Sequence, residues 1–142
     1  MDEIVLLSTA GRPARTEQGF SYDAVASQLG APKSVFMFVA EIQPGETIPA
    51  HMHPAGTETI IYIQSGEVEH RYGEGLAKSM VNRAGDFIFI PGNVPHQPIN
   101  LSASEPVRAI VACNFDLNVE GHSIPYPGLP THPIHSTAFT ST

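Results

Sequence analysis

His51-Met52-His53-Pro54-Ala55-Gly56-Thr57-Glu58, read together with Pro91-Gly92-Asn93-Val94-Pro95-His96, decides how this chain folds. Side chains alternate between faces along a strand, so His51 and His53 point the same way if residues 51–53 are extended. The loop 54–57 then returns Glu58 to the same neighbourhood, and His96 arrives from a different strand. Three neutral imidazoles and one carboxylate suit a divalent first-row metal, at bond lengths of about 2.0–2.2 Å. His51, His53, Glu58 and His96 are therefore the candidate metal ligands. A lone histidine carries no such meaning, being commonly a surface or hydrogen-bonded core residue. The weight lies in what surrounds these four.

Two spaced patterns frame them. The first reads Gly45-x5-His51-x-His53-x4-Glu58-x7-Gly66, and the second Gly85-x5-Pro91-x-Asn93-x2-His96-x3-Asn100. Together they resemble the paired motifs of the cupin superfamily, over roughly residues 35–114. In that family six residues separate the carboxylate from the closing glycine. Here that count reaches Thr59, and a bulge would be needed to re-aim Glu58. If Thr59 holds the ligand register, the site has three histidines only. Asn93 stands where the motif has glycine, and Asn tolerates positive φ better than most residues.

The composition agrees. At 142 residues the chain is long enough for one domain with a real core. With 42% hydrophobic residues, 12 Gly and 13 Pro, and short apolar runs between turn signals, it suits an all-β sandwich or barrel. A net charge of −7 argues against nucleic acid and anionic membranes as partners. No apolar run approaches a membrane span, and Asp2 and Glu3 precede only four apolar residues, unlike a secretory signal. One cysteine, Cys113, excludes an intramolecular disulfide and fits the cytoplasm, as a packed core thiol rather than a nucleophile.

The expected fold is a double-stranded β-helix, the jelly-roll or cupin barrel, spanning residues 35–115. An N-terminal strand and irregular arm precede it (1–34), and a Pro/Ser/Thr-rich tail follows (116–142). Residues 4–7 read as an edge strand, and residues 21–29 as a short helix closed by Gly30. Barrel strands are expected at 35–42, 51–53, 58–64, 67–72, 79–82, 87–90, 96–100 and 107–114, with 87–90 buried on both faces. In 67–72, Glu67, Glu69 and Arg71 alternate with Val68, His70 and Tyr72, which puts the charges in solvent and His70 inside. The tail cannot pack a core of its own, so His122, His132 and His135 read as solvent-exposed.

A barrel of this size can hold one small ligand. Four protein ligands on a six-coordinate metal would leave two positions open, which is the mark of a catalytic site. The resemblance implies dioxygenases, decarboxylases, isomerases, epimerases, lyases and non-catalytic binders. The chain has only seven basic residues, which disfavours a sugar phosphate and favours a small neutral or aromatic substrate that chelates the metal, such as a diketone, phenol or enol. The reading is a metal-dependent enzyme, dioxygenase-like in preference to an isomerase or lyase, holding Fe, Mn, Zn or Ni. His70 and Tyr62 are the candidate catalytic residues. His70 would move protons, or else be a core histidine bonded to Tyr62 or Tyr72. Phe36, Met37, Phe38, Ile60, Phe87 and Phe89 are further pocket candidates. A homodimer is expected, because edge strands need covering and small members of the resembled family commonly pair.

Overall fold

The computed structural model describes residue 4, the backbone of residues 14–15 and 21–25, and residues 34–117 and 119–127. The strands are β1 (Ala14–Arg15), β2 (Ser21–Val25), β3 (Phe36–Ile42), β4 (His51–Met52), β5 (Glu58–Ser65) and β6 (Glu67–Tyr72). They continue with β7 (Lys78–Arg83), β8 (Phe87–Pro91), β9 (His96–Asn100), β10 (Val107–Cys113) and β11 (Ile124–Pro125). They form two antiparallel sheets, in the orders β1-β2-β3-β10-β5-β8 and β11-β4-β9-β6-β7. The chain is all-β, a jelly roll. Among the described residues the only helical turn is a short 3-10 segment, Glu74–Leu76.

Period-two patterning builds the interior. Phe36, Phe38, Ala40 and Ile42 of β3 are buried, as are Val107, Ala109, Val111 and Cys113 of β10. These strands pair antiparallel in register, Ile42 opposite Val107 and Phe36 opposite Cys113. On β5 the inward residues are Thr59, Ile61 and Ile63; on β8 they are Ile88 and Ile90. Each large apolar side chain so buried contributes about 1.5–3 kcal/mol relative to exposure. Cys113 is the expected core thiol: its Sγ lies 3.2 Å from the Phe115 carbonyl oxygen, and burial pushes it up to about 11.

Two backbone positions hold the turns that aim the site. Gly66 joins β5 to β6 at φ 90°, and a Cβ there would meet the Pro106 carbonyl oxygen at 2.6 Å. Asn93 adopts φ 61°, the left-handed conformation its motif position requires, and its N–H donates to the His53 carbonyl at 2.7 Å.

Several expectations are corrected. Residues 21–25 are a strand, not the start of a helix, and pair with β3 along its otherwise open edge. Phe87 and Phe89 of β8 are 72% and 56% exposed, because only one face of that strand meets the core. Glu69 and Arg71 are buried, although they alternate out of phase with Val68 and His70. Ser79 Oγ donates to Glu69 Oε2 at 2.8 Å, and Arg71 Nε lies 3.6 Å from the same oxygen. Glu67 keeps its expected place, paired with Arg83 at 2.8 Å on the surface. The segment after Asp116 packs in part: Leu117 is buried and β11 pairs with β4. Ile4 is exposed, and the rest of 4–7 lies outside the described residues, as do His132 and His135.

Asn100 holds the barrel end beside Gly45, whose N–H donates to the Ser102 carbonyl at 2.9 Å. Its Nδ2 donates to the carbonyls of Ile42 at 3.0 Å and Glu105 at 2.9 Å, and its Oδ1 accepts from the Ser102 N–H at 2.9 Å. Asn100→Ala removes all three bonds inside a buried site. We expect a loss of about 2–4 kcal/mol, read as a lower urea midpoint at unchanged slope. A shift under about 0.5 kcal/mol would contradict this account.

Candidate metal centre

His51 begins β4, His53 follows it by two, and His96 begins β9, directly opposite His51 in the ladder. All three are buried at 5% exposure. One ring nitrogen from each lies within 4.8 Å of the others. Ring centroids stand 4.4 Å apart for His51 and His96, 5.1 Å for His51 and His53, and 5.2 Å for His53 and His96.

Backbone carbonyls fix the tautomers. Nδ1 of His51 lies 2.8 Å from the Pro49 oxygen, Nδ1 of His53 2.7 Å from that of His122, and Nδ1 of His96 2.9 Å from that of Val94. A carbonyl only accepts, so each Nδ1 must carry the proton. Each Nε2 then keeps its lone pair for a metal, the usual arrangement of a ligating histidine. Burial drives all three rings toward the neutral form. His51 is pushed down to about 4, His53 is lowered against the opposing His122 bond, and His96 falls well below 6.5, with His51 adding to the burial effect. Three neutral, preoriented nitrogens fit a divalent first-row metal.

The structure does not bring Glu58 to this cluster. Its side chain is exposed, on the outer face of β5. Thr59 takes the inward position: β5 alternates without interruption from Glu58 to Ile63, and its register shift against β10, between Ile63 and Ser65, comes too late along the strand to turn Glu58 in. Tyr62 is also outward: its ring packs on Phe87 with centroids 4.8 Å apart, and it does not line the cavity. His70 does face inward, buried beside the three histidines. Its partner is neither Tyr62 nor Tyr72. Nδ1 lies 2.9 Å from Asn82 Oδ1, and burial lowers its pKa against that bond.

Sequence reading missed three contributors. Asn82 orients His70 from the neighbouring strand, where alternation on β7 was its only signal. Phe115 lies against His53 with centroids 4.8 Å apart. His122 supplies the carbonyl that holds His53, and its own Nδ1 lies 2.6 Å from the Asp116 carbonyl oxygen. It is thus half-buried and structural, not a solvent histidine. No spacing rule could connect residues 69 positions apart through a main-chain oxygen.

The cavity is about 70 Å³, room for a handful of heavy atoms. Besides the histidines and Thr59 its walls are apolar, among them Phe38, Ile61, Val111 and Leu117. A hollow of about 310 Å³ adjoins it and shares His70, Ile90 and His96. That hollow is lined by β7 and β8, each the last strand of its sheet, and so marks the lateral opening of the barrel.

The cupin domain model matches residues 38–113, more than half of the chain, and the chain belongs to that family. No curated protein sequence matches it significantly. Solved structures share the fold. An uncharacterised protein with a double-stranded β-helix domain from Klebsiella pneumoniae is 19% identical with a TM-score of 0.60, over 87% of this chain and 99% of that one. An oxalate oxidase is 22% identical with a TM-score of 0.67, over 89% of this chain and 65% of that one. The DMSP lyase DddQ from Ruegeria pomeroyi is 30% identical with a TM-score of 0.52, over 62% of this chain and only 42% of the lyase.

The neutral histidines make a prediction for the metal-free protein. Their folded pKa values lie below the unfolded value near 6.5, so the unfolded state binds protons the native state does not. Stability is then full above about pH 6.5 and falls as pH drops toward the folded values, about 4 for His51. Urea midpoints measured from pH 7.5 to 4.5 should decline by the equivalent of about 2 kcal/mol or more. A flat profile would show the rings are not buried neutral.

Proposed function

We propose that the chain is a metal-dependent enzyme acting on a small, metal-chelating molecule that is neutral in solution, with dioxygenase-like oxidation as the first reading. The observation behind it is the set of three preoriented histidine nitrogens opening into a small apolar cavity. His51, His53 and His96 would hold Fe, Mn, Zn or Ni. A bound divalent ion supplies Lewis acidity and, if iron or manganese, one-electron chemistry with oxygen. The described cavity walls are apolar apart from the histidines and Thr59 and offer no Lys or Arg to a phosphate or a second carboxylate. A diketone, phenol or enol suits them better than a dianion. His70 would take the proton such a substrate loses. With Nδ1 facing the Asn82 oxygen, its Nε2 is the basic nitrogen.

A lyase or isomerase is the second reading, favoured by the same oriented base and by the 30% identity to a protein named as a lyase. Oxygen separates the two. The test is metal analysis of the purified protein, then an oxygen-uptake screen with small diketones, phenols and enols. We expect about one metal per chain, lost in His51→Ala and His96→Ala and kept in Glu58→Gln. Turnover should fall about a hundredfold in His70→Phe with metal retained. Full metal content in both histidine variants would defeat the reading; turnover without oxygen would favour the lyase. If no substrate turns over while ligands still bind, the protein is a binder. The single buried thiol suits a cytoplasmic setting, and among the described residues no helix is long and apolar enough to cross a membrane.

The partner we propose is a second copy of the chain, seated on the outer face of β3, β10, β5 and β8. Met37, Ala112, Ile60 and Phe89 form one cross-strand row there, and Val39, Ile110, Tyr62 and Phe87 the next. The pair Arg108–Glu41, at 3.3 Å, forms a polar rim in the row beyond. Met37, Ile60, Phe87 and Phe89 are 52%, 49%, 72% and 56% exposed, which at ordinary side-chain areas leaves roughly 400 Å² of apolar surface. Two such faces with their rims approach the ~1,200 Å² a stable dimer needs. Sedimentation equilibrium should give a dimer at micromolar concentration, and Phe89→Glu a monomer. A monomeric wild-type protein would contradict the assignment.

A further inference from the structure

Thr59 stands where the cupin motif carries its carboxylate, and the exchange changes the charge of the site. Three neutral imidazoles leave the 2+ of a bound metal wholly uncompensated. Among the described residues that line the cavity there is no Asp, Glu, Lys or Arg. An uncompensated charge in an apolar cavity is strongly disfavoured. No described residue lining the cavity supplies the negative charge that a carboxylate ligand would have brought, which leaves it to a bound anion.

A second observation lies at the same residue. Thr59 is 6% exposed, lines the cavity with the three histidines, and its Oγ1 has no hydrogen-bond partner. Buried hydroxyls are normally satisfied. β5 is paired on both sides, Thr59 opposite Ile90 and Cys113, so the backbone cannot carry this group elsewhere. Its O–H is left to donate into the cavity.

We propose that Thr59 is a specificity-determining residue for a small monoanion. The anion supplies the one negative charge a carboxylate ligand would have brought, while one of its atoms accepts a hydrogen bond from Thr59 Oγ1. This rests on the metal-centre reading above and narrows it. A substrate neutral in solution would be held in its singly deprotonated form, which gives the centre the same net charge that a glutamate at this position would give it. A glutamate at this position would supply the charge itself and compete with the anion.

Co(II) and azide test this in the full-length protein. Wild type, Thr59→Val, Thr59→Ser and Thr59→Glu are loaded with Co(II) and titrated with azide, followed by visible absorption. We expect Thr59→Val to keep Co(II) affinity within about twofold and to bind azide about tenfold more weakly, the loss expected for one hydrogen bond to a charged group. Thr59→Ser, which keeps the hydroxyl, should retain azide affinity. Thr59→Glu should bind Co(II) more tightly and lose azide binding. Unchanged azide affinity in Thr59→Val, or a Co(II)-loaded wild type that ignores azide, overturns the proposal and leaves the metal centre standing. A wild-type protein that takes up no Co(II) overturns both.

Discussion

The Nδ1–H of each clustered histidine donates to a main-chain carbonyl, and the organisation of the whole centre depends on those three bonds. They set the tautomer, and the tautomer sets which nitrogen faces the cavity. They also limit what the backbone can do. The carbonyls of Pro49 and Val94 lie two residues before their own histidines, so each short approach to β4 or β9 has one usable conformation. The third comes from His122, beyond the barrel proper, and binds the segment leading to β11 into the site. A local imidazole preference thereby determines where the chain must return after the last barrel strand.

The two faces of the larger sheet divide the work. Inward rows are mostly aliphatic, with Phe36 and Phe38 on β3, and leave a cavity; outward rows mix aliphatic residues with Tyr62, Phe87 and Phe89 and stay partly exposed. Strand alternation is strict, so moving a residue by one position exchanges one environment for the other. Glu58 and Thr59 illustrate the cost of that rule. The carboxylate, one residue out of phase, faces solvent, and a neutral hydroxyl takes the interior. The smaller sheet departs from it in one respect: Glu69 and Arg71 are buried while alternating with the interior residues. Burial raises the Glu69 pKa, opposed by Ser79 and Arg71, which is the response of a carboxylate withdrawn from water and only partly compensated.

A shared fold leaves the chemistry open. Proteins named as an oxidase and a lyase superpose on this chain, and fold alone does not choose between them. The donor set and the walls narrow the choice. Among the described residues, three histidine nitrogens without a carboxylate, a buried histidine oriented by an amide, and apolar walls without a cation all restrict what can bind.

The sequence by itself determined the strand positions from 36 to 113, the pairing of His51 with His53, the arrival of His96 and the inward face of His70. These follow from period-two alternation and turn residues, which are local properties. It also determined that Asn93 could replace a glycine, since positive φ is a property of the residue and its turn. Only the tertiary structure decided between Glu58 and Thr59, because the register of β5 is set by its ladders to β8 and β10 and not by its own residues. The same holds for Tyr62, Phe87 and Phe89, whose aromatic character suits a pocket or an outer face equally well. It holds most of all for Asn82 and the His122 carbonyl, which reach His70 and His53 from elsewhere in the chain. Hydrogen bonds made through space leave no periodicity in a sequence, so only the folded chain could reveal them.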